Sequence, residues 1–274
     1  MGVPFAEVIG DPIAHSKSPL VHKFWLEKLG LAGDYRATRV AAAELTDYFR
    51  ARRKDPAWLG CNVTLPHKER VLALLDDVED FDIGAVNCIV PEEGRLVGRN
   101  TDLDGFGEAT PKHVDTSWPI CLLGSGGAAR VTLASLDIAA VFQWHIVARN
   151  RTKARALLDH YGMGQIFDFH EAEAAVAGSI GVINATPLGM TGFPAMPGSV
   201  LRGFEGMRRR RAFAIDMVYT PLRTEFLRAA ESARIEAIDG LTMLIGQAAA
   251  AFGHFFGVQP PRETDRELRK VLTR

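Results

Sequence analysis

The feature that most constrains this chain is an alternation. Short apolar runs rich in Val and Ile, at residues 6–9, 58–63 and 83–90, are separated by segments with helical periodicity. One of these carries Leu20, Phe24, Trp25 and Leu29 and stops at Gly30, a residue suited to a left-handed helix end. Strands alternating with helices predict an α/β fold on a mostly parallel sheet, since parallel neighbours need a crossover longer than a hairpin turn. Around Pro111 and Pro119 the composition turns polar, and a second series follows at 120–123, 145–148, 180–185 and 213–218. Residues 240–257, Ala-rich and apolar on several faces, read as a helix packed between two domains.

With 274 residues, 47% of them hydrophobic, the chain is long enough for two domains with real cores. A net charge of −1 gives no general attraction to nucleic acid or to an anionic membrane, so neither is expected as a partner. The basic run 208–211 reads as a solvated loop, with an anion contact as the alternative. Cys61, Cys88 and Cys121 form neither a CxxC nor an even disulfide framework, and the eight histidines lack zinc spacing; a reducing, cytoplasmic setting and no metal are expected. The N-terminus shows no signal-peptide pattern, and no uninterrupted apolar run approaches bilayer length.

The stretch "ICLLGSGGAAR", residues 120–130, runs from a buried strand through glycines into a helical pattern. Gly124 suits the tight turn, Gly126 lets backbone approach a pyrophosphate, and Ala129 permits close helix packing, with the helix N-terminus facing the phosphates. From about residue 105 the chain therefore reads as a doubly wound, Rossmann-type dinucleotide-binding unit. The next strand ends in Arg149, Asn150 and Arg151, where an NAD enzyme usually keeps an acid for the ribose hydroxyls. Guanidinium groups there favour a 2′-phosphate, hence NADP.

In "CNVTLPHKE", residues 61–69, Pro66 suits the first position of a helix with Val71, Leu72 and Leu75 on its apolar face. Lys68 would then stand in the first turn, where the helix dipole disfavours a cation. That placement hints at chemistry, a solvated lysine being the alternative. Ser16 and Ser18 at a helix start, Asn62, Thr64, Asn87, Asn100, Thr101 and Asp102 add hydroxyls, amides and a carboxylate that suit a small polyhydroxylated acid. Each also has a plainer reading: Ser18 before Pro19 is a good N-cap, and the Asn and Asp residues suit turns.

Taken in order, "GDPIAHSKSP", "NVTLPHK", "GAVNCI", "GRNTD", "GSGGAAR", "NRT", "NATPLGM", "DMVYTPLRT" and "DGLTMLIGQAA" resemble the shikimate dehydrogenase family over nearly the whole chain. The resemblance implies a catalytic, substrate-binding domain at 1–104, an NADP-binding domain at 105–238, and helices at 239–274 returning to the first domain. It implies reversible, NADP-dependent reduction of 3-dehydroshikimate to shikimate by a monomer or homodimer. Quinate, an amino analogue or NAD use remain as alternatives, and a non-catalytic metabolite-binding module is the reading from another class.

Residue by residue, the resemblance implies Lys68 and Asp102 as the catalytic pair. Ser16 and Ser18 would hold the substrate carboxylate with Tyr219 close by, and Asn62, Thr64, Asn87 and Gln247 would line the ring hydroxyls. Gly126, Gly127 and Ala128 match the phosphate loop that Gly124 opens. Asn150, Arg151, Thr152 and Arg155 match the adenosine phosphate region beside Arg149, and Met217 and Gly240 the nicotinamide surroundings. Cys88 stands where the family usually has Thr, Leu103 where it has Gly, and Lys23 where Asn is common; none removes a presumed catalytic group.

Overall fold

The computed structural model describes residues 2–79, 83–137, 143–207 and 211–274, so Arg208, Arg209 and Arg210 of the basic run lie outside the described residues. Two compact units share the chain, one formed by 1–105 with 244–274, the other by 106–243. In chain order the strands are β1 (Phe5–Gly10), β2 (Asp34–Arg39), β3 (Trp58–Val63), β4 (Asp77–Val78), β5 (Cys88–Glu92), β6 (Arg95–Arg99), β7 (Ile120–Leu123), β8 (Gln143–Val147), β9 (Met163–Phe167), β10 (Gly181–Asn184), β11 (Phe213–Asp216) and β12 (Glu236–Ile238). The helices are α1 (Ser18–Leu29), α2 (Leu45–Arg52), α3 (Asp102–Ala109), α4 (Gly127–Asp137), α5 (Arg151–Tyr161), α6 (Ala172–Ala177), α7 (Gly198–Gly206), α8 (Glu225–Ser232), α9 (Gly240–Phe256) and α10 (Asp265–Leu272).

The first unit holds a sheet in the order β2-β1-β3-β5-β6-β4. It is mixed rather than mostly parallel: β1 pairs in parallel with β2 and β3, but β5 is antiparallel to both β3 and β6. The cause is a hairpin. Glu92 pairs with Arg95 across a two-residue loop, and Glu93 and Gly94 both take positive φ, which matches the right-handed twist of the flanking strands.

Both faces of this sheet are covered. Phe5, Ile9, Cys61, Val63 and Ile89 pack on one side with Leu45 and Phe49 of α2. Ala6, Val8, Tyr35, Cys88 and Val90 pack on the other with Ala251 and Phe255 of α9. Each large side chain so buried contributes about 1.5–3 kcal/mol. Glu7 is the charged exception in β1: fully buried, it accepts hydrogen bonds from Tyr48 Oη at 2.8 Å and Arg52 Nε at 2.6 Å. Cys88 is sealed inside the second cluster, where burial pushes its thiol pKa up, so its replacement of Thr acts here through packing.

Helix α1 ends at Gly30 in the left-handed conformation, as the sequence suggests, but its inward stripe differs from the expected one. Leu20 is half exposed, while Ser18, Val21, His22, Trp25 and Leu26 are buried. These five positions follow helical spacing more closely than the leucines do; a histidine among them conceals the stripe.

The second unit is a six-stranded sheet in the order β12-β11-β10-β7-β8-β9, with every pairing parallel. The chain winds outward from β7 in one direction and from β10 in the other, leaving a topological switch point between their carboxyl ends. Gly124 follows β7 there with φ +115, and a Cβ on it would lie 3.0 Å from Thr186 Cγ2 and 3.2 Å from the Ala185 carbonyl of the loop after β10. Only glycine fits that turn without strain.

Candidate active site

In the first unit the polar motifs converge at the ends of β3, β5 and β6. Lys68 does not occupy a helix's first turn. The segment after β3 turns sharply, with the His67 N–H donating to the Thr64 carbonyl at 2.9 Å, and the 3₁₀ helix begins only at Arg70. The Lys68 carbonyl accepts from Val86 N–H at 2.9 Å, a bond to another segment that replaces a helical one. This tether holds the lysine backbone against the loop leading to Asn87.

Lys68 Nζ lies 2.5 Å from Asp102 Oδ2, the lysine side chain 19% and the aspartate 8% exposed. Asp102 is the first residue of α3, where a carboxylate complements the helix dipole, and its N–H donates to Asn100 Oδ1 at 3.2 Å. Asn87 Nδ2 donates to Asp102 Oδ1 at 2.8 Å, so both carboxylate oxygens are committed. Asn87 Oδ1 accepts from the Thr101 N–H at 2.7 Å, and Gln247 Oε1 of α9 stands 3.5 Å from Asn87 Nδ2. Asn62, in β3, donates from Nδ2 to the Asn87 carbonyl at 3.1 Å and accepts from Tyr35 Oη at 2.6 Å. Lys68, Asp102, Asn87, Asn62 and Gln247 therefore form one connected group. Half-buried Thr64 follows Asn62 on the same strand end, its N–H donating to the Ile9 carbonyl at 2.9 Å.

Ser16 and Ser18 stand at the start of α1. The N-cap is Lys17, without a side-chain capping bond, and Ser18 is the first helical residue, not the cap. Ser16 Oγ instead accepts the Ser18 N–H at 3.3 Å. His67 is buried and donates Nε2–H to the Val40 carbonyl at 2.7 Å, a structural commitment. Leu103 sits half-buried in the first turn of α3, directly after Asp102.

The predicted phosphate-loop residues lie in the second unit at the switch point, and the predicted adenosine-end residues follow β8. Helix α4 starts at Gly127, so Gly127 and Ala128 supply its first N–H groups, which a helix leaves unpaired. A Cβ on Gly126 would meet nothing within 4 Å: the space over the helix start is open, as close approach of a pyrophosphate requires. After β8, Arg149 and Asn150 are exposed, and Asn150 caps α5 by accepting the Lys153 N–H at 2.9 Å. Arg151, Thr152 and Arg155 line a shallow surface concavity with Asp159 and Ile166. Arg151 also pairs with Asp168 at 3.3 Å. These residues fit a 2′-phosphorylated dinucleotide, with cations and no carboxylate at the end of β8.

Met217 and Tyr219 are half-buried in the bend after β11. Gly240 opens α9 against that bend, where a Cβ would fall 2.7 Å from the Met217 carbonyl oxygen, so no larger residue fits. A buried network missed by sequence reasoning ties this bend to the loop after β10. Asp216 accepts from Asn184 Nδ2 at 2.9 Å, the Val218 N–H at 3.0 Å and Thr224 Oγ1 at 2.5 Å, and burial pushes its carboxyl pKa up to about 6. Its signal was an Asn and an Asp each ending an apolar strand. Tyr35 was missed as well, because β2 reads DYRATR and buries only that residue fully. Among the described residues, Asp168, His170 and Glu171 could offer a metal one ligand atom each within 4.8 Å of one another, but they are half or fully exposed.

Comparison with known proteins bears on this geometry. Residues 8–89 match the model of the shikimate dehydrogenase substrate binding domain, and 240–268 that of the shikimate 5'-dehydrogenase C-terminal domain. A Sphingopyxis alaskensis protein named shikimate dehydrogenase (NADP(+)) is 46% identical over 98% of this chain and 97% of its own length. The chain belongs to the shikimate dehydrogenase family. Among solved structures, Thermus thermophilus shikimate 5-dehydrogenase in complex with NADP(H) and shikimate is 34% identical, with a TM-score of 0.82 over 98% of this chain and 99% of that one. The Listeria monocytogenes enzyme, in complex with shikimate and NAD, is 27% identical, with a TM-score of 0.85 over 98% and 96%. Family membership extends over both units, so the polar group in the first and the glycine loop in the second are parts of a shikimate dehydrogenase fold.

Proposed function

We propose that this chain catalyses the reversible NADP-dependent reduction of 3-dehydroshikimate to shikimate, with Lys68 and Asp102 as the catalytic pair. The observation that carries the reading is the 2.5 Å contact between them, mostly buried and held by Asn87. Oxidising a secondary alcohol removes a hydride from carbon and a proton from oxygen, and a side chain must carry the proton. NADP supplies the hydride acceptor when bound. Lys68 carries the proton: its ammonium donates to the ketone oxygen in reduction, and its amine takes the hydroxyl proton in oxidation. Asp102 orients the ammonium and accepts a hydrogen bond from a ring hydroxyl.

Ser16 and Ser18 bind the substrate carboxylate, and Asn62, Thr64, Asn87 and Gln247 hold the ring; Tyr219 is a substrate-binding residue by the family resemblance. Gly124, Gly126, Gly127 and Ala128 cradle the coenzyme phosphates, and Met217 and Gly240 border the nicotinamide. Arg149, Asn150, Arg151, Thr152 and Arg155 take the adenosine end, where the arginines make charge-assisted bonds to the 2′-phosphate. The names of the relatives and the absence of a carboxylate at the end of β8 support this assignment. The test is a steady-state assay of shikimate with NADP beside quinate and NAD. The reading expects kcat/KM to be highest for shikimate with NADP; a higher value for quinate or NAD would transfer the assignment to that pair, and no turnover with any would leave a binding module.

A further inference from the structure

Asn62 has one carboxamide oxygen and one NH₂, and its neighbours decide which way they face. The Asn87 carbonyl, 3.1 Å from one end, can only accept, so that end is Nδ2. The other end is then Oδ1, and the Tyr35 hydroxyl 2.6 Å away must donate to it. Tyr35 is fully buried, and burial raises its phenol pKa well above the ordinary value, which keeps the donor proton in place. Its ring is itself fixed. His22 of α1 stacks on it face to face, centroids 3.9 Å apart and planes 2° from parallel, and Trp25, Phe252 and Phe255 close around the imidazole. Among the described residues neither His22 nitrogen finds a hydrogen-bond partner, so that ring serves as a flat packing surface.

We propose that Tyr35 is a positioning residue for substrate recognition: with the Asn87 carbonyl it pins the Asn62 carboxamide at both ends, leaving the second Nδ2 hydrogen as a donor for a ring oxygen of the substrate. The proposal rests on the reading of Asn62 as a substrate ligand. Without the Tyr35 hydroxyl, Oδ1 becomes a buried acceptor lacking its donor, the carboxamide gains freedom about its last torsion, and the donor loses its fixed direction.

The experiment is a double-mutant cycle with Tyr35→Phe and Asn62→Ala, using shikimate and NADP as probes. Tyr35→Phe keeps the ring stack and removes only the oxygen, and circular dichroism checks the fold. The expected result is a rise in KM for shikimate of about threefold to tenfold, in line with one neutral hydrogen bond, with KM for NADP unchanged. In the Asn62→Ala background the same substitution should have no further effect. Equal effects in both backgrounds, or equal changes in both substrates' KM, would mean that Tyr35 is merely structural and overturn the proposal.

A second readout does not depend on turnover. The Asn62 side-chain NH₂ signals in a ¹⁵N spectrum, identified by their loss in Asn62→Ala, should shift and exchange with solvent at least about fivefold faster in Tyr35→Phe. Unchanged signals would overturn the pin even if the wild type turns over shikimate. Altered signals in a chain that does not turn over shikimate would uphold the pin and overturn the functional reading instead.

Discussion

Lys68 Nζ and Asp102 Oδ2 meet at 2.5 Å although 34 residues separate them, and each is anchored independently of the other. The Val86 N–H holds the Lys68 backbone, and Asn87 and Asn100 hold Asp102. The two backbones are therefore positioned by the fold, while the Lys68 ammonium takes its direction from Asp102.

For that reason Lys68→Met should leave the fold intact while lowering kcat by at least roughly a hundredfold, with a much smaller change in KM for shikimate. Single-turnover hydride transfer in the folded variant is the measurement. A near wild-type rate would remove Lys68 from the chemistry and direct the search for the proton carrier to Asp102 or a bound water.

Asp102→Asn should damage both kcat and KM. The carboxylate accepts from Lys68 and Asn87, and the amide that replaces it brings donors to at least one of those contacts. Titration with shikimate alone, followed by turnover, separates the two losses; a change confined to KM would leave Asp102 as a binding group.

Arg151→Ala should lower kcat/KM for NADP by about tenfold to a hundredfold and barely affect NAD, because a charge-assisted bond to the 2′-phosphate is worth about 1.5–3 kcal/mol. Parallel kinetics with the two coenzymes check it. Equal losses with both would restrict Arg151 to its pairing with Asp168.

Ser16→Ala should raise KM for shikimate while leaving NADP binding nearly unchanged, since Arg99, the arginine of the first unit's motifs, is paired with Glu79 and Glu92, and the hydroxyl donors near the α1 start are left for the carboxylate. Equilibrium titration of Ser16→Ala, Ser18→Ala and the double variant is decisive, and unaltered affinity in all three rules the assignment out.

His22 should weaken the fold in acid. Burial lowers its pKa from 6.5 to about 3, so the folded state binds fewer protons than the unfolded chain between those values. Stability is therefore fully present above about pH 6.5 and is lost as pH falls toward 3, by up to roughly 5 kcal/mol. His22→Phe keeps an aromatic surface against Tyr35 and removes the titrating group. Denaturant unfolding at pH 7 and pH 4.5 should show a smaller loss for the variant than for the wild type, and equal losses would contradict the assignment.

Much of this was legible in the sequence, for reasons that individual residues make plain. Strands β1, β3, β7, β10 and β11 are almost wholly buried and announce themselves as short apolar runs, each carrying at most one buried polar or charged residue. Gly124 and Gly126 sit in the one context, strand to helix, that gives a glycine pattern meaning. Strand β2 stayed hidden because only Tyr35 of its six residues is fully buried, and β6 because its identity depends on a two-residue turn through Glu93 and Gly94. Lys68 was singled out as a candidate but placed on the wrong kind of structure. Pro66 suits a helix start by local preference, whereas the Lys68 carbonyl is claimed by Val86, a distant partner that no local pattern reveals. Asp216 escaped for the same reason, its partners Asn184 and Thr224 being 32 and 8 residues away.

The first unit is completed by 244–274, a segment delivered only after all of the second unit has been synthesised. In order of synthesis, then, the later unit is the first to have all of its residues. The contiguous stretch 106–243 can close as soon as it emerges, while the earlier-made sheet waits with Val8, Tyr35, Cys88 and Val90 lacking Ala251 and Phe255, and with Asn87 lacking Gln247. Until α9 is made, that face of the sheet has no cover from Ala251 and Phe255, so this apolar surface stays open to solvent until late in synthesis.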